Sequence, residues 1–92
     1  MPQDYAEAVK WYRLAAEAGL NAAQNNIGQM YYAGHGVPQD NVLAHMWFNL
    51  AAVGGNPIAL KGRDEVAANM APDQIAEAQK MAREWLAAHP DK

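Results

Sequence analysis

The stretch from residue 21 to residue 55 reads NAAQNNIGQMYYAGHGVPQDNVLAHMWFNLAAVGG, and its second half has a second copy in the chain. Pro38-Gln39-Asp40 repeats Pro2-Gln3-Asp4 at a spacing of 36 residues, and nine of the eighteen positions in residues 2–19 are identical to their counterparts. A weaker third copy at the same spacing places Leu86-Ala87-Ala88 on Leu50-Ala51-Ala52. A period of this length indicates a stack of similar structural units.

Each unit is predicted to contain two α-helices that are separated by a glycine-containing loop. In the central unit, Asn21 is expected to cap a helix over about residues 22–32, and Gln24 is expected to complete a capping box. Gly34-His35-Gly36 then ends this helix, since glycine is the residue that most readily adopts the backbone conformation found after a helix.

The second helix of the central unit is expected over about residues 38–53, with Asp40 near its positive end and Gly54-Gly55 after it. No segment has the alternation that is typical of a strand. The sequence therefore predicts an all-α fold of five helices. The other three are expected to start at Pro2, to cover about residues 58–70 after Asn56-Pro57, and to cover about residues 73–88 before Pro90.

The repeat divides the chain into unequal parts of a single repeat domain, residues 1–92. Residues 1–19 form a half repeat, residues 20–55 a full repeat, and residues 56–92 a terminal repeat with a capping helix.

Small and large side chains are expected to alternate where these helices meet. A glycine inside a helix, such as Gly28, lowers helix stability by about 1 kcal/mol relative to alanine. A close crossing with another helix would explain its presence, so we expect such a crossing at Gly28. Alanines let backbones approach, and aromatic rings fill the wider gaps. The alanines are Ala8, Ala15, Ala16, Ala44, Ala51 and Ala52, and the rings are those of Trp11, Tyr12, Trp47 and Phe48.

The composition excludes several kinds of chemistry. None of the 92 residues is Cys, Ser or Thr. Covalent catalysis by these nucleophiles is therefore excluded within the chain. The net charge of −3 comes from scattered charges without a basic stripe, which argues against binding to nucleic acid. His35, His45 and His89 lack the spacing of a helical metal site, so we expect no metal and no cofactor.

The sequence has no apolar run that is long enough for a membrane helix and no leader after Met1. Membrane insertion is therefore not expected, and a cytoplasmic location is expected for the chain as written. This expectation leaves open the export of a longer parent protein.

The central unit resembles the Sel-one-like repeat, a relative of the tetratricopeptide repeat. The resemblance is carried by Ala23-Gln24-Asn25-Asn26-Ile27-Gly28-Gln29-Met30-Tyr31-Tyr32, by Gly34-His35-Gly36-Val37-Pro38-Gln39-Asp40, and by Ala44, Trp47 and Ala51-Ala52 to Gly55. It implies a right-handed α-solenoid of helical hairpins that serves as a scaffold for protein interactions and is not an enzyme. Arg63 and Asp64 stand where Ile27 and Gly28 do, which suggests that the last helices cap the array.

In this repeat class the first helix of each hairpin usually lines the concave surface. The resemblance thus places the binding of a peptide or protein partner at outward positions between the core residues Ala23, Ile27 and Tyr31. These candidate positions are Asn25, Gln29 and Tyr32, with Lys61, Glu65 and Ala68 at the 36-residue spacing.

The first helix lacks its usual partner helix, so Tyr5, Val9 or Tyr12 is expected to be partly uncovered. A homodimer through this helix, or a preceding part of a longer protein, would cover them. Two other functions stay open at this point. One is hydrolase activity, since some cysteine-rich relatives of the family have been described as β-lactamases, and the other is a purely structural cap of a longer array.

Overall fold

The computed structural model describes residues 4–90, which form five α-helices. The helices are α1 (Tyr5–Glu17), α2 (Asn21–Ala33), α3 (Asn41–Val53), α4 (Pro57–Ala67) and α5 (Pro72–Ala88). Residues 4–90 contain no strand, so the predicted all-α fold with five helices is confirmed. Pro2, the predicted start of the first helix, lies outside the described residues. No helix within residues 4–90 has the length and apolar character needed to cross a membrane.

Three helices start at a side chain that accepts hydrogen bonds from the first turn. Asp4 Oδ1 accepts from the Glu7 amide at 3.1 Å, and Asp40 Oδ1 accepts from the Leu43 amide at 3.0 Å. Asn56 Oδ1 does the same for the two amides at residues 58 and 59. Because Asp40 is the capping residue, α3 begins three residues later than its predicted start at Pro38.

The predicted capping box at the start of α2 is wrong. Leu20 occupies the N-cap position, and no side chain caps the helix there. Asn21 Nδ2 instead donates to the carbonyl oxygen of Gly54 at 3.0 Å, and Gln24 Nε2 donates to the carbonyl oxygen of Ala16 at 3.2 Å. Both side chains therefore tie α2 to neighbouring helix ends, which is a use that local sequence patterns do not reveal.

The core is centred on the ring of Phe48, which lies between two glycine backbones. A Cβ atom added at Gly28 would lie 2.8 Å from Phe48 Cδ1, and one added at Gly62 would lie 3.0 Å from Phe48 Cε1. These distances confirm the close crossing predicted at Gly28. Ala44 and Ala51, on the same helix as Phe48, are fully buried, so α2, α3 and α4 meet through small residues around one aromatic ring.

The last helix takes a different place from the one that the repeat would give it. In a regular hairpin α5 would pack on α4, as α3 packs on α2, but α5 packs against α3. Trp85 of α5 meets Trp47 edge to face, with the ring centroids 6.1 Å apart. Since α4 returns to the start of α3 and only residues 68–71 separate α4 from α5, α5 runs parallel to α3 and covers its outer side.

We expect Gly28→Ala to destabilise the chain, although alanine is the better helix former. The new methyl group would press on the Phe48 ring, and overpacking of this kind costs about 1 to 3 kcal/mol. The melting temperature should fall by about 4 to 8 °C for each kcal/mol in a domain of this size.

The double variant Gly28→Ala/Phe48→Leu supplies the control, because the smaller Leu side chain makes room for the methyl group. The cost of Gly28→Ala should be lower in the Phe48→Leu background than in the parent chain. An unchanged or raised melting temperature for Gly28→Ala alone would contradict this packing.

Candidate functional site

Five of the six predicted partner-binding residues are exposed on α2, on α4 or, in the case of Ala68, directly after α4. Gln29 and Tyr32 are exposed on α2, and Asn69 follows α4 with its amide nitrogen 3.5 Å from the Tyr32 hydroxyl oxygen. We refer to this area as the α2–α4 surface. It consists of Gln29, Tyr32, Lys61, Glu65, Ala68 and Asn69, all of which are exposed. Asn69 was missed by the sequence analysis, because the 36-residue spacing pairs it with Ala33, which carries no polar group.

Asn25 is the exception, since its predicted outward position is wrong. Only 7% of its surface is exposed, and its Oδ1 atom is buried with no hydrogen-bond partner among the described residues. α2 packs against α1, α3 and α4, so little of its circumference is left free for outward positions. The predicted core residues Ala23, Ile27 and Tyr31 are buried on the same helix.

A groove of about 300 Å³ adjoins Gln29 on the side of α1. At one end the ring of Tyr5 stacks on the ring of His35 at a centroid distance of 4.4 Å. Gly36 makes this approach possible, because a Cβ atom there would lie 2.6 Å from the Tyr5 carbonyl carbon and its φ of +80° favours glycine. The groove is lined by Tyr5, Tyr12, Asn26, Gln29, Met30, Ala33 and His35.

α1 is partly uncovered, as the sequence predicts. Of the three residues named for this, Tyr5 and Tyr12 are half-buried, whereas Val9 is buried and packs in the core. Trp11, which was expected to fill a gap between helices, is instead exposed, together with Leu14. The Trp11 indole Nε1 donates to Glu7 Oε2 at 3.2 Å on the same helix.

The three histidines occupy separate environments. His35 is exposed in the loop after α2, as predicted, and His45 is buried in α3 with Nδ1 unpartnered among the described residues. Within residues 4–90 no three His, Asp or Glu side chains converge in a way that could hold a metal ion.

His89 belongs to a contact that joins the end of α5 to the end of α1. Trp85 Nε1 donates to Glu17 Oε1 at 3.0 Å. The His89 ring stacks on the Trp85 ring, with the ring centroids 3.8 Å apart. His89 Nδ1 lies 2.7 Å from the Trp85 carbonyl oxygen, and because a carbonyl only accepts, Nδ1 is the donor. This contact fixes the end of α5 beside the end of α1.

Burial lowers the pKa of His45 from its ordinary value of 6.5, and the positive charge of Arg63 lowers it further. Asp64 acts in the opposite direction. The Arg63 guanidinium is held near α3 by donating to Asn49 Oδ1 at 2.9 Å. His45 is therefore a neutral packing residue, which fits its predicted place at a helix interface.

Comparison with known proteins identifies similar sequences and similar structures. The sequence model of the Sel1 repeat matches residues 1–20 and 21–56. Chitin synthase regulatory factor 3 of Schizosaccharomyces pombe is 40% identical over 67 residues, which is 73% of this chain and 7% of that protein. An uncharacterized protein of Neisseria meningitidis serogroup B is 53% identical over 34 residues, which is 37% of this chain and 7% of that protein.

One of the similar structures is that of a protective antigen present in uropathogenic Escherichia coli strains, whose crystal structure displays an SLR fold. It has a TM-score of 0.87 and 33% sequence identity, and the match covers 90% of this chain and 18% of that one. The chain thus spans a small part of each of these longer proteins.

We expect the stability of the chain to decrease as the pH falls below about 6.5, where unfolded His45 takes up a proton and folded His45 resists doing so. Above that pH both forms are neutral, so the contribution of His45 is fully present there. The midpoint of urea unfolding, measured at about pH 7.5 and about pH 5.5, should differ less in His45→Leu than in the parent chain.

His35→Gln is the matched control, since His35 is exposed, and it should keep the pH difference of the parent. An equal pH difference in His45→Leu and the parent would show that other groups cause the loss.

Proposed function

Because the chain belongs to the Sel1 repeat family, we propose that it is a non-enzymatic interaction scaffold that binds a peptide or protein partner across the α2–α4 surface. Repeat proteins of this family are typically scaffolds for protein partners. The location of binding is our inference, and it rests on the arrangement of polar groups on α2 and after α4.

The observation that carries the proposal is the approach of Tyr32 and Asn69. The Asn69 amide nitrogen lies 3.5 Å from the Tyr32 hydroxyl oxygen and 3.4 Å from the carbonyl oxygen of Glu65. A hydroxyl and an amide from successive repeats thus lie side by side, with Gln29 and Glu65 exposed beside them. Together these groups offer donors and acceptors to one extended segment of a partner.

Such a surface suits the recognition of a peptide backbone. Neutral amides and a phenol can bond to backbone N–H and C=O groups whatever the side chains of the peptide are. Lys61 and Glu65 carry opposite charges on the α2–α4 surface. A bound segment with charged side chains would therefore be held in one direction. Because the two charges cancel, the surface as a whole does not favour acidic or basic segments.

The residue types of the chain also favour binding over catalysis. With no Ser, Thr or Cys in the sequence, hydrolysis through an acyl-enzyme on these nucleophiles is excluded. Raised-pKa carboxylate chemistry needs an apolar setting around the acid. Glu17, Asp64 and Glu65 are all exposed to solvent, so they do not have that setting.

A crosslinking pull-down tests the proposal. Benzoylphenylalanine placed at position 29 should crosslink to a recovered partner, because Gln29 lies on the α2–α4 surface. The same group at position 79 should not, since Gln79 is also exposed but lies on α5 and not on α2 or α4. Tyr32→Ala/Glu65→Lys should reduce recovery about tenfold or more if these side chains are central to the interface.

Glu77→Lys on α5 makes the same charge change as Glu65→Lys at another exposed site and should leave recovery unchanged. Equal recovery of the partner by all variants would show that the binding site does not lie on the α2–α4 surface. Recovery of no partner at all would favour the purely structural role of a cap.

A further inference from the structure

A cavity of about 170 Å³ lies where the start of α2 and the turn before it meet the ends of α3 and α5. We refer to it as the α2–α3–α5 cavity. Its lining residues are Gly19, Asn21, Gln24, Leu50, Val53, Gly54, Trp85 and Leu86. No residue of α1 lines it, and it shares no residue with the α2–α4 surface or with the groove beside Tyr5. It is therefore a separate site between helices that the structure describes.

Two side-chain amides in the cavity wall are oriented by backbone carbonyl groups. Gln24 Nε2 donates to the carbonyl oxygen of Ala16 at 3.2 Å, and Asn21 Nδ2 donates to that of Gly54 at 3.0 Å. Because a carbonyl oxygen only accepts, the nitrogen of each amide is fixed there and the amide oxygen is left free. Only 3% of the Gln24 surface is exposed, so a ligand that fills the cavity must supply a donor to its free oxygen.

The acidic group in contact with the wall is the carboxylate of Glu17. Its Oε1 atom accepts from Nε1 of the lining residue Trp85 at 3.0 Å. His89 Nε2 lies 3.9 Å from the same oxygen, but Nδ1 is the donor to the Trp85 carbonyl, so a neutral His89 has no proton to offer Glu17. No Lys or Arg is among the lining residues. A positively charged donor is therefore favoured in the cavity, and an anion is disfavoured.

The size and the remaining walls of the cavity define the ligand further. A water molecule occupies about 30 Å³ in the liquid, so the cavity holds about five or six non-hydrogen atoms. That is the size of a lysine side chain. Its aliphatic part suits the walls formed by Leu50, Val53 and Trp85, and its ammonium group has three donors and no acceptor.

Exposed apolar residues surround the cavity. Leu20, Val53 and Leu86 have 57%, 63% and 37% of their surfaces exposed. Val53 and Leu86 line the cavity, and Leu20 lies between two lining residues. Single exposed apolar residues are ordinary on protein surfaces, whereas three from separate parts of the fold around one cavity mark an interaction site. A ligand that covers this rim is larger than a free amine.

From these observations we propose that the α2–α3–α5 cavity receives a lysine side chain of a protein partner. The ammonium group donates to the free amide oxygens of Asn21 and Gln24 beside the Glu17 carboxylate. Apolar residues next to the lysine cover the rim formed by Leu20, Val53 and Leu86. The chain then has a second interaction surface, which selects one side chain, whereas the α2–α4 surface binds an extended backbone.

Three probes distinguish the parts of this ligand. The first is an acetylated and amidated pentapeptide of sequence LAKAL, and the second has norleucine in place of lysine, which keeps the aliphatic chain without the ammonium group. The third is n-butylammonium chloride, which lacks the apolar neighbours. In an NMR titration of the full chain, the indole N–H signal of Trp85 should shift saturably with the lysine peptide. Both other probes should bind about tenfold or more weakly.

Variants of the chain locate the site. Glu17→Gln keeps an oxygen for the Trp85 indole and removes the charge, so it should weaken the lysine peptide about threefold or more and leave the norleucine peptide unchanged. Val53→Lys should weaken the lysine peptide about tenfold or more, because it places a like charge at the rim. Ile58→Lys is the matched control, since Ile58 is also 63% exposed but lies on α4 and does not line the cavity. It should leave binding unchanged, and circular dichroism checks that each variant is folded.

Four outcomes would overturn the proposal. The first is a lack of saturable binding by the lysine peptide, and the second is equal affinity for the norleucine peptide, which would make the site purely apolar. The third is equal affinity for n-butylammonium, which would make the ligand a small amine. The fourth is tighter binding of the lysine peptide to Lys92→Ala than to the parent, which would make the chain's own last residue, outside the described residues, the occupant of the cavity.

Discussion

The position of the Phe48 ring between Gly28 and Gly62 sets the distances among three of the five helices. Neither glycine leaves room for a methyl group on the side of the ring, so α2 and α4 approach α3 as closely as their backbones allow. The separation of α2 and α4 from each other follows from this. The approach of Tyr32 to Asn69, and with it the α2–α4 surface, therefore depends on a core contact that no partner touches.

The position of α5 has the opposite effect, because it breaks the regularity of the array. Seven residues, 34–40, join α2 to α3, and two glycines in that loop have positive φ. Only four residues, 68–71, join α4 to α5. α5 packs on α3 and not on α4, so α3 has a third neighbour and α4 keeps an exposed side that carries Leu60 and Asp64.

Much of the fold could be predicted from the sequence, because the repeat, the glycine stops and the caps Asp40 and Asn56 are local signals. The role of Gly62 was harder to find, since it lies 34 residues after Gly28 and the spacing of 36 places Asp64 there instead. Trp11 and Trp47 look equivalent in sequence and differ in burial, because only Trp47 has Trp85 beside it. The burial of Asn25 could not be predicted for the same reason, since it depends on the helices that pack against α2 and not on the sequence of α2 itself.

These differences between equivalent positions are also what can give the chain binding specificity. A strictly regular array would present the same groups at every repeat, and one partner could then bind in several registers. Here the neutral Tyr32 and Asn69 meet at a single place, and the exposed Trp11 and Leu14 have a covered counterpart in Trp47 and Leu50. Each arrangement thus occurs once among residues 4–90, so a partner that binds to it has a single register.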